Sequence, residues 1–440
     1  MRFADILVSN GTVLTMDAAD QQIENGTVAI KDDSIIAVGE ADNFSDWQTG
    51  QVINAQGGII MPGLVNTHTH ASMTCFRGIA DDLPLMTWLN DHIFPAEAKL
   101  DSEKVYWGAV LACTEMILSG MTCFCDMYLF EDEVARAAHD TGVRAVVGEV
   151  LYDFPSPNYG PIEKGFEYSE MLIDKWKDNP LITIAVEPHS PYLCAPDLLK
   201  KAFSLTQTHE IPLIIHISET ESEVAGIKDK YGSTPLGHLA ALDVLAPNLL
   251  ACHCVVLSDE DISLLKQFDV KVAHCPESNM KLASGIAPIP DLIQEGICVG
   301  LGTDGCASNN NLDLFSEMDM AAKLHKVNSG DPTVMDAGTV LKMCTSDGAR
   351  ALGLEKTTGS IEPGKKADII IIDTRQPHLT PMYHPVSHLV YAARGGDVAT
   401  TIINGKVVMQ DRQLLSINVQ EVMEIIQTFA EDIKGNADGI

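Results

Sequence analysis

The stretch Ile59-Ile60-Met61-Pro62-Gly63-Leu64-Val65-Asn66-Thr67-His68-Thr69-His70 passes from an apolar, β-branched run into two histidines two residues apart. In an extended strand residues i and i+2 point to the same side, so both imidazoles can reach one ion. Between residues 59 and 355 such runs recur: Ile59 to Thr67, Met121 to Asp126, Arg144 to Leu151, Ile182 to Glu187, Pro212 to His216, Leu249 to His253, Val270 to His274 and Cys298 to Thr303. Most intervals between them are long enough for a helix. In the first, Val105, Ala109, Ala112 and Met116 recur at spacings of four, three and four, which lines up one helical face. Strand alternating with helix is the signature of a parallel sheet. Eight units in about 300 residues predict an α/β protein built on a (β/α)8 barrel of the TIM type.

Barrels of this kind build their active sites at the C-terminal ends of the strands. The first run ends in His68-Thr69-His70, the fourth in Glu187-Pro188-His189, the fifth in His216-Ile217-Ser218-Glu219, the sixth in His253, the seventh in His274 and the eighth in Thr303-Asp304. Six of the eight runs thus place a His, Asp or Glu at one rim. A lone His-x-His is about as often an ordinary pair of histidines. Here an imidazole from the fifth strand and a carboxylate from the eighth, which adjoins the first when the barrel closes, complete a mixed nitrogen and oxygen set. Such a set suits Zn2+ or another first-row divalent ion, with one position left for water.

Outside the barrel the pattern changes. Ile6 to Val8, Asn10-Gly11, Val13-Leu14, Asn25-Gly26 and Val28 to Ile30 read as short strands and turns, as do Ile369 to Ile372 and the Asn404-Gly405 turn between Thr401 to Ile403 and Lys406 to Val408. Residues 1–58 and 356–440 are therefore expected to form one composite β domain, a small β-sandwich, beside the barrel of residues 59–355. Helices over Asp313 to Val327 and Thr333 to Leu352 are expected to pack on the barrel.

Composition narrows the partners. The 440 residues are 46% hydrophobic and 20% charged, enough apolar surface for a large core. With 29 basic and 61 acidic residues the net charge is −32, a field that repels phosphate backbones and anionic membranes, so neither nucleic acid nor membrane is an expected partner. The 11 cysteines lie scattered in apolar segments such as Cys123-Phe124-Cys125 and Cys252-His253-Cys254 and read as free thiols. With no secretory h-region at Met1-Arg2-Phe3-Ala4-Asp5-Ile6, a cytoplasmic protein is expected.

Several motifs carry a resemblance. Met61 to His70, His216-Ile217-Ser218-Glu219-Thr220, His274-Cys275-Pro276-Glu277-Ser278-Asn279-Met280-Lys281-Leu282, Gly302-Thr303-Asp304-Gly305 and the closing Gly359 to Asp368 resemble the amidohydrolase superfamily. Within it the chain is most similar to the 5'-methylthioadenosine and S-adenosylhomocysteine deaminases, with chloro-s-triazine hydrolases as near relatives. The resemblance implies that His68, His70, His216 and Asp304 hold one Zn2+ per subunit, another first-row ion being an alternative. A second metal bridged by a lysine of the fourth strand is not expected, because that strand ends at Pro188-His189.

The implied reaction removes the 6-amino group of an adenine nucleoside as ammonia. Asp304 accepts a proton from the attacking water or orients it, Glu219 passes a proton to N1 as attack occurs at C6, and His253 hydrogen-bonds the attacking oxygen. Glu97 is expected to grip the ribose hydroxyls, His189 to touch the purine and Trp88 to wall the pocket, while His274 is read as structural. No arginine occurs between Ala145 and Lys164, where the carboxylate of an amino-acid tail is expected to be bound, which ranks methylthioadenosine and adenosine above S-adenosylhomocysteine. The rivals are a triazine hydrolase or a guanine or pterin deaminase with the same metal site, and a non-catalytic scaffold. The scaffold reading predicts missing ligands, and all four are present. The partner expected is a small purine nucleoside; a homodimer is compatible with the resemblance, though no sequence feature shows one.

Overall fold

The computed structural model describes residues 2–434. Five strands precede the barrel: β1 (Phe3–Leu14), β2 (Gln22–Lys31), β3 (Ser34–Glu40), β4 (Gln48–Asn54) and β5 (Ile59–Pro62). The barrel is made by β6 (Leu64–Thr69), β7 (Met121–Tyr128), β8 (Arg144–Leu151), β9 (Ile182–Ile184) with β10 (Glu187–Pro188), β11 (Leu213–Ile217), β12 (Leu249–His253), β13 (Lys271–His274) and β14 (Val299–Leu301). After it come β15 (Ile369–Ile372), β16 (Val398–Ile403), β17 (Lys406–Gln410) and β18 (Gln413–Leu414).

The run read as one strand from Ile59 to Thr67 is two. Its first half, β5, lies in the terminal sheet, parallel to β1 and antiparallel to β15, while β6 pairs with β7 in the barrel. The switch happens at Gly63, where a Cβ would fall 2.1 Å from the Thr122 side chain, so only glycine lets the backbone pass that close to the start of β7.

The terminal strands form one mixed sheet in the order β18-β17-β16-β15-β5-β1-β2-β3, with β4 also on β1. It curls until the β2–β3 turn meets the chain leading into β15: Ile35 N–H donates to Lys365 O at 2.9 Å and Ala367 N–H to Asp33 O at 2.9 Å. The two flanks enclose a core of their own that includes Ile6, Val28, Ile30, Ile369 and Ile371. Asn10-Gly11 and Asn25-Gly26 are not the hairpin turns expected. Both lie inside long strands at register shifts, with Gly11 paired to Gly26. At each site only the asparagine takes positive φ, whereas a two-residue hairpin turn of this composition needs both residues there. Asn404-Gly405, with φ of 49° and 75°, is such a turn.

In the barrel β6, β7 and β8 run parallel, and so do β11 to β14. The fourth strand is split into β9 and β10, and Val186 bridges to Leu213 in parallel to join the two halves. The far seam closes through the Asn66 amide, whose Oδ1 accepts from Thr303 N–H at 3.0 Å and whose Nδ2 donates to Thr303 Oγ1 at 2.8 Å. Gly302 lies so close to β6 there that a Cβ would meet His68 N and O at 2.8 Å. The buried ion pair of Arg144 Nε with Asp368 Oδ2, 2.8 Å, ties β8 to the turn before β15.

Two helices differ from expectation. The helix predicted over Asp313 to Val327 is Leu314–Ser329, capped by the Asp313 side chain. The stretch Thr333 to Leu352 holds two short helices, Ala337–Met343 and Ser346–Ala351. Between them the Cys344 carbonyl is taken by Val65 N–H of β6 at 2.8 Å, which removes it from any helical ladder. All eleven cysteines are buried and unpaired. Among the described residues no helix is long and apolar enough to cross a membrane.

Candidate active site

The alternation of β6 delivers His68 and His70 to one side, with ring centroids 4.9 Å apart and planes at 82°. His216, near the end of β11, brings its ring 4.9 Å from that of His68. Asp304, beyond β14, places Oδ1 3.2 Å from His70 Nε2 and 3.8 Å from His68 Nε2. One ligand atom from each of His68, His70 and His216 lies within 4.8 Å of the others, and the same holds for His68, His253 and Asp304.

The outer nitrogens are engaged elsewhere. His70 Nδ1 donates to Met127 O, His216 Nδ1 donates to His189 O at 2.8 Å, and His68 Nδ1 meets Cys252 Sγ at 3.3 Å. This leaves each Nε2 facing the centre, the orientation a ligand imidazole needs. Asp304 is pinned by three donors: Ser278 Oγ at 2.5 Å and Ser308 Oγ at 3.0 Å on Oδ2, and Gly305 N–H at 2.8 Å on Oδ1. It holds a left-handed φ of 58°, the kind of strain that persists where surrounding contacts over-determine the backbone.

Burial opposes the ionised form of Asp304, yet the surrounding His70, His253 and His68 hold its carboxyl well below the usual range. Burial likewise opposes a charge on His70, and Asp304 overrides it, pulling the imidazole up to about 9. His68 Nε2 is buried without a hydrogen-bond partner. Three imidazole nitrogens around one ionised carboxylate, with the His68 Nε2 lone pair unpartnered among them, fit a divalent cation, which would take the place of the proton that Asp304 draws onto His70.

Glu219 and His253 flank this centre. Glu219 is buried in the turn after β11, and burial raises its carboxyl above the ordinary value. Its nearest side-chain partner is Ser284 Oγ at 3.5 Å, too long to restrain it. His253 ends β12 at φ 72° and donates from Nδ1 to Asn279 Oδ1 at 3.0 Å, which turns Nε2 toward the cavity.

Above the centre lies a cavity. His70, Trp88, Glu97, His189, His216, Glu219, His253 and Asp304 all line it, with His68 fully buried beneath. Every candidate residue read from the sequence is therefore brought to one place. Trp88 stands on a single π-helical turn, Trp88–Ile93, which runs into Phe94–Glu97. Burial pushes the Glu97 carboxyl up to about 7 against the opposing pull of the Tyr128 hydroxyl. Burial pushes His189 down to about 3, so its imidazole is neutral.

Sequence reasoning missed the aromatic wall. Tyr152 and Phe94 line the cavity, and Phe154, stacked on Tyr152 at 3.9 Å and 14°, carries the wall toward solvent. Tyr152 directly follows β8, so the strand-end rule applied to aromatics as well as to acids and imidazoles would have found it. The residues pinning Asp304 and His253, Ser278 and Asn279, stood inside a motif quoted for its resemblance. His274 lies away from the centre and meets His325 through their Nε2 atoms at 3.0 Å.

The profile of the amidohydrolase family matches residues 59–408. The chain belongs to the amidohydrolase family. This amidohydrolase is 56% identical over 432 residues, 98% of its own length and 99% of the relative's, to a 5-methylthioadenosine/S-adenosylhomocysteine deaminase from Syntrophobacter fumaroxidans. It is 46% identical over 437 residues, 99% and 100% of the two chains, to a 5'-deoxyadenosine deaminase from Methanosarcina acetivorans. A solved adenosine deaminase from Xanthomonas campestris with bound zinc superposes with a TM-score of 0.97 at 37% identity, covering 99% of each chain.

Proposed function

We propose that this amidohydrolase is a metal-dependent hydrolytic deaminase that converts the 6-amino group of an adenine nucleoside to a 6-oxo group and releases ammonia. The observation that carries the reading is the convergence, in one cavity, of the His68, His70, His216 and Asp304 donor set with Glu219 on one flank and Glu97 on another. The names of the relatives and of the zinc-containing structure support it. The same four residues would hold the ion, and zinc is the ion proposed. When bound, a divalent ion supplies Lewis acidity that makes water a nucleophile near neutral pH.

The protein's own groups do the rest. Asp304, fixed by Ser278, Ser308 and Gly305, takes the proton of the attacking water at Oδ1. Glu219, whose carboxyl burial raises above its ordinary value, passes a proton to N1 of the purine as C6 is attacked. His253, oriented by Asn279, hydrogen-bonds the attacking oxygen. His189 stays neutral against the ring, Trp88 walls the pocket, and the Glu97 carboxylate accepts from the ribose hydroxyls.

The 5' end of the nucleoside meets aromatic surface. Among the described residues no lysine or arginine lines the cavity, so the carboxylate of an amino-acid tail finds no partner there. Methylthioadenosine and adenosine are therefore the proposed substrates, ahead of S-adenosylhomocysteine. The test is ammonia release by the zinc-loaded protein, as kcat/KM, from methylthioadenosine, 5'-deoxyadenosine, adenosine, S-adenosylhomocysteine, guanine and an aminated triazine. Preference for an uncharged nucleoside supports the reading. Turnover of guanine or the triazine alone, with metal bound, overturns it.

A further inference from the structure

Glu219 borders two spaces. One is the substrate cavity; the other is a second cleft lined by Met86, Thr220, Ser222 and Glu223. With no strong side-chain partner of its own, its direction depends on the backbone that carries it.

That backbone is clamped in an unusual way. Helix Glu221–Tyr231 begins just after Glu219, and its cap residue Thr220 accepts from Glu223 N–H at 3.2 Å. In a reciprocal capping box the third residue of the helix returns its carboxylate to the N–H of the cap residue. Glu223 reaches past Thr220 instead: Oε2 accepts from Glu219 N–H at 2.7 Å and Oε1 from Ser218 N–H at 3.0 Å. Ser218 stands at φ 53°, a left-handed conformation that a side chain disfavours. Its carbonyl accepts from Val255 N–H at 3.0 Å and Val256 N–H at 2.9 Å. The residue leading into Glu219 is thus gripped from one side by the Glu223 carboxylate and from the other by the chain leaving β12. A carboxylate that leaves its own helix cap to hold two N–H groups of a strained turn serves the turn, not the helix.

We propose that Glu223 is a positioning residue: by holding the Ser218 and Glu219 amides it keeps the Glu219 carboxyl in the substrate cavity and out of the neighbouring cleft. This rests on the reading of Glu219 as the proton carrier. Gln at residue 223 keeps the size and one acceptor but sets an amide N–H2 against one of the two donors, so the fold is retained while the turn is loosened.

The test is a double-mutant cycle on the zinc-loaded protein with methylthioadenosine, comparing Glu223→Gln, Glu219→Gln and the pair, with bound metal measured for each. Glu223→Gln is expected to lower kcat about tenfold, with KM and metal content within about twofold of the parent. In the Glu219→Gln background the same change should alter the residual kcat by less than about twofold, because groups acting as a unit are non-additive. Faster amide exchange at Ser218 and Glu219 in Glu223→Gln would accompany this. The proposal is overturned alone if Glu219→Gln is inactive while Glu223→Gln keeps full kcat, or if the Glu223 change costs the same factor in both backgrounds. A Glu219→Gln variant with near-normal turnover would instead sink the reading of Glu219, and the positioning role with it.

Discussion

The two sides of the cavity are built differently. The proposed metal side comes from strand ends, where His68, His70, His216 and Asp304 each have a further partner that fixes their direction. The proposed substrate side comes from the long excursion between β6 and helix Ser102–Leu118, where Trp88 and Glu97 stand on one π-helical turn and one short helical turn. The Trp88 indole N–H is buried without a protein partner. The proposed chemistry is thus held by the scaffold, and the proposed recognition by a loop that can change without disturbing it.

The largest effect should come from the scaffold side. His68→Ala is expected to lose bound metal and turnover together, since it removes a ligand whose far nitrogen is already committed to Cys252. Metal analysis that still finds one ion per chain would dissolve the proposed set. Glu219→Gln should keep its metal and lose about 10²- to 10⁴-fold in kcat, the usual worth of a placed proton carrier; loss of metal as well would show that the two functions are not separable. Glu97→Gln acts on the other side. It is expected to lower kcat/KM for nucleosides about 10- to 100-fold, the range for a charged hydrogen-bond acceptor, and to leave activity on free adenine unchanged.

A pH profile sharpens the same contrast. Burial raises the Glu97 carboxyl to about 7, so below that pH it is neutral and a poor acceptor for a diol, and above it is ionised. For nucleosides kcat/KM should therefore climb as pH rises through about 7, and this limb should flatten in Glu97→Gln; a limb that survives the substitution belongs to another group. The smallest change is expected at the mouth. Phe154→Arg should leave methylthioadenosine within about threefold and raise S-adenosylhomocysteine turnover a few-fold, because Phe154 is 39% exposed and a new ion pair there is screened by solvent.

Legibility in the sequence follows the same division. Strand-borne groups announce themselves: near-continuous apolar runs end in His68-Thr69-His70, in His216 and in Asp304, and the barrel makes them converge. Glu97 and Trp88 carry no such signal, and only their resemblance to a family placed them. The Asn10-Gly11 and Asn25-Gly26 pairs misled because bulges and hairpin turns share their favoured residues, and only pairing across strands tells them apart. The break at Gly63 was invisible because β5 and β6 are both apolar, and what separates them is the side chain of Thr122, 59 residues away. The clamp on Ser218 was hidden for a related reason: a glutamate three residues past a threonine reads as an ordinary helix cap.

Gly63 also has a thermodynamic consequence. The strand bearing His68 and His70 is continuous, through that one residue, with the strand that zips β1 to β15. Unravelling of the terminal sheet would therefore release the ion, and tight binding of the ion would resist that unravelling. Saturating metal at 100 times its dissociation constant adds about 2.7 kcal/mol to anything that must open before the ion can leave. Chelation should then lower a single shared melting transition instead of splitting it in two, and the two ends of the chain should melt with the barrel they flank.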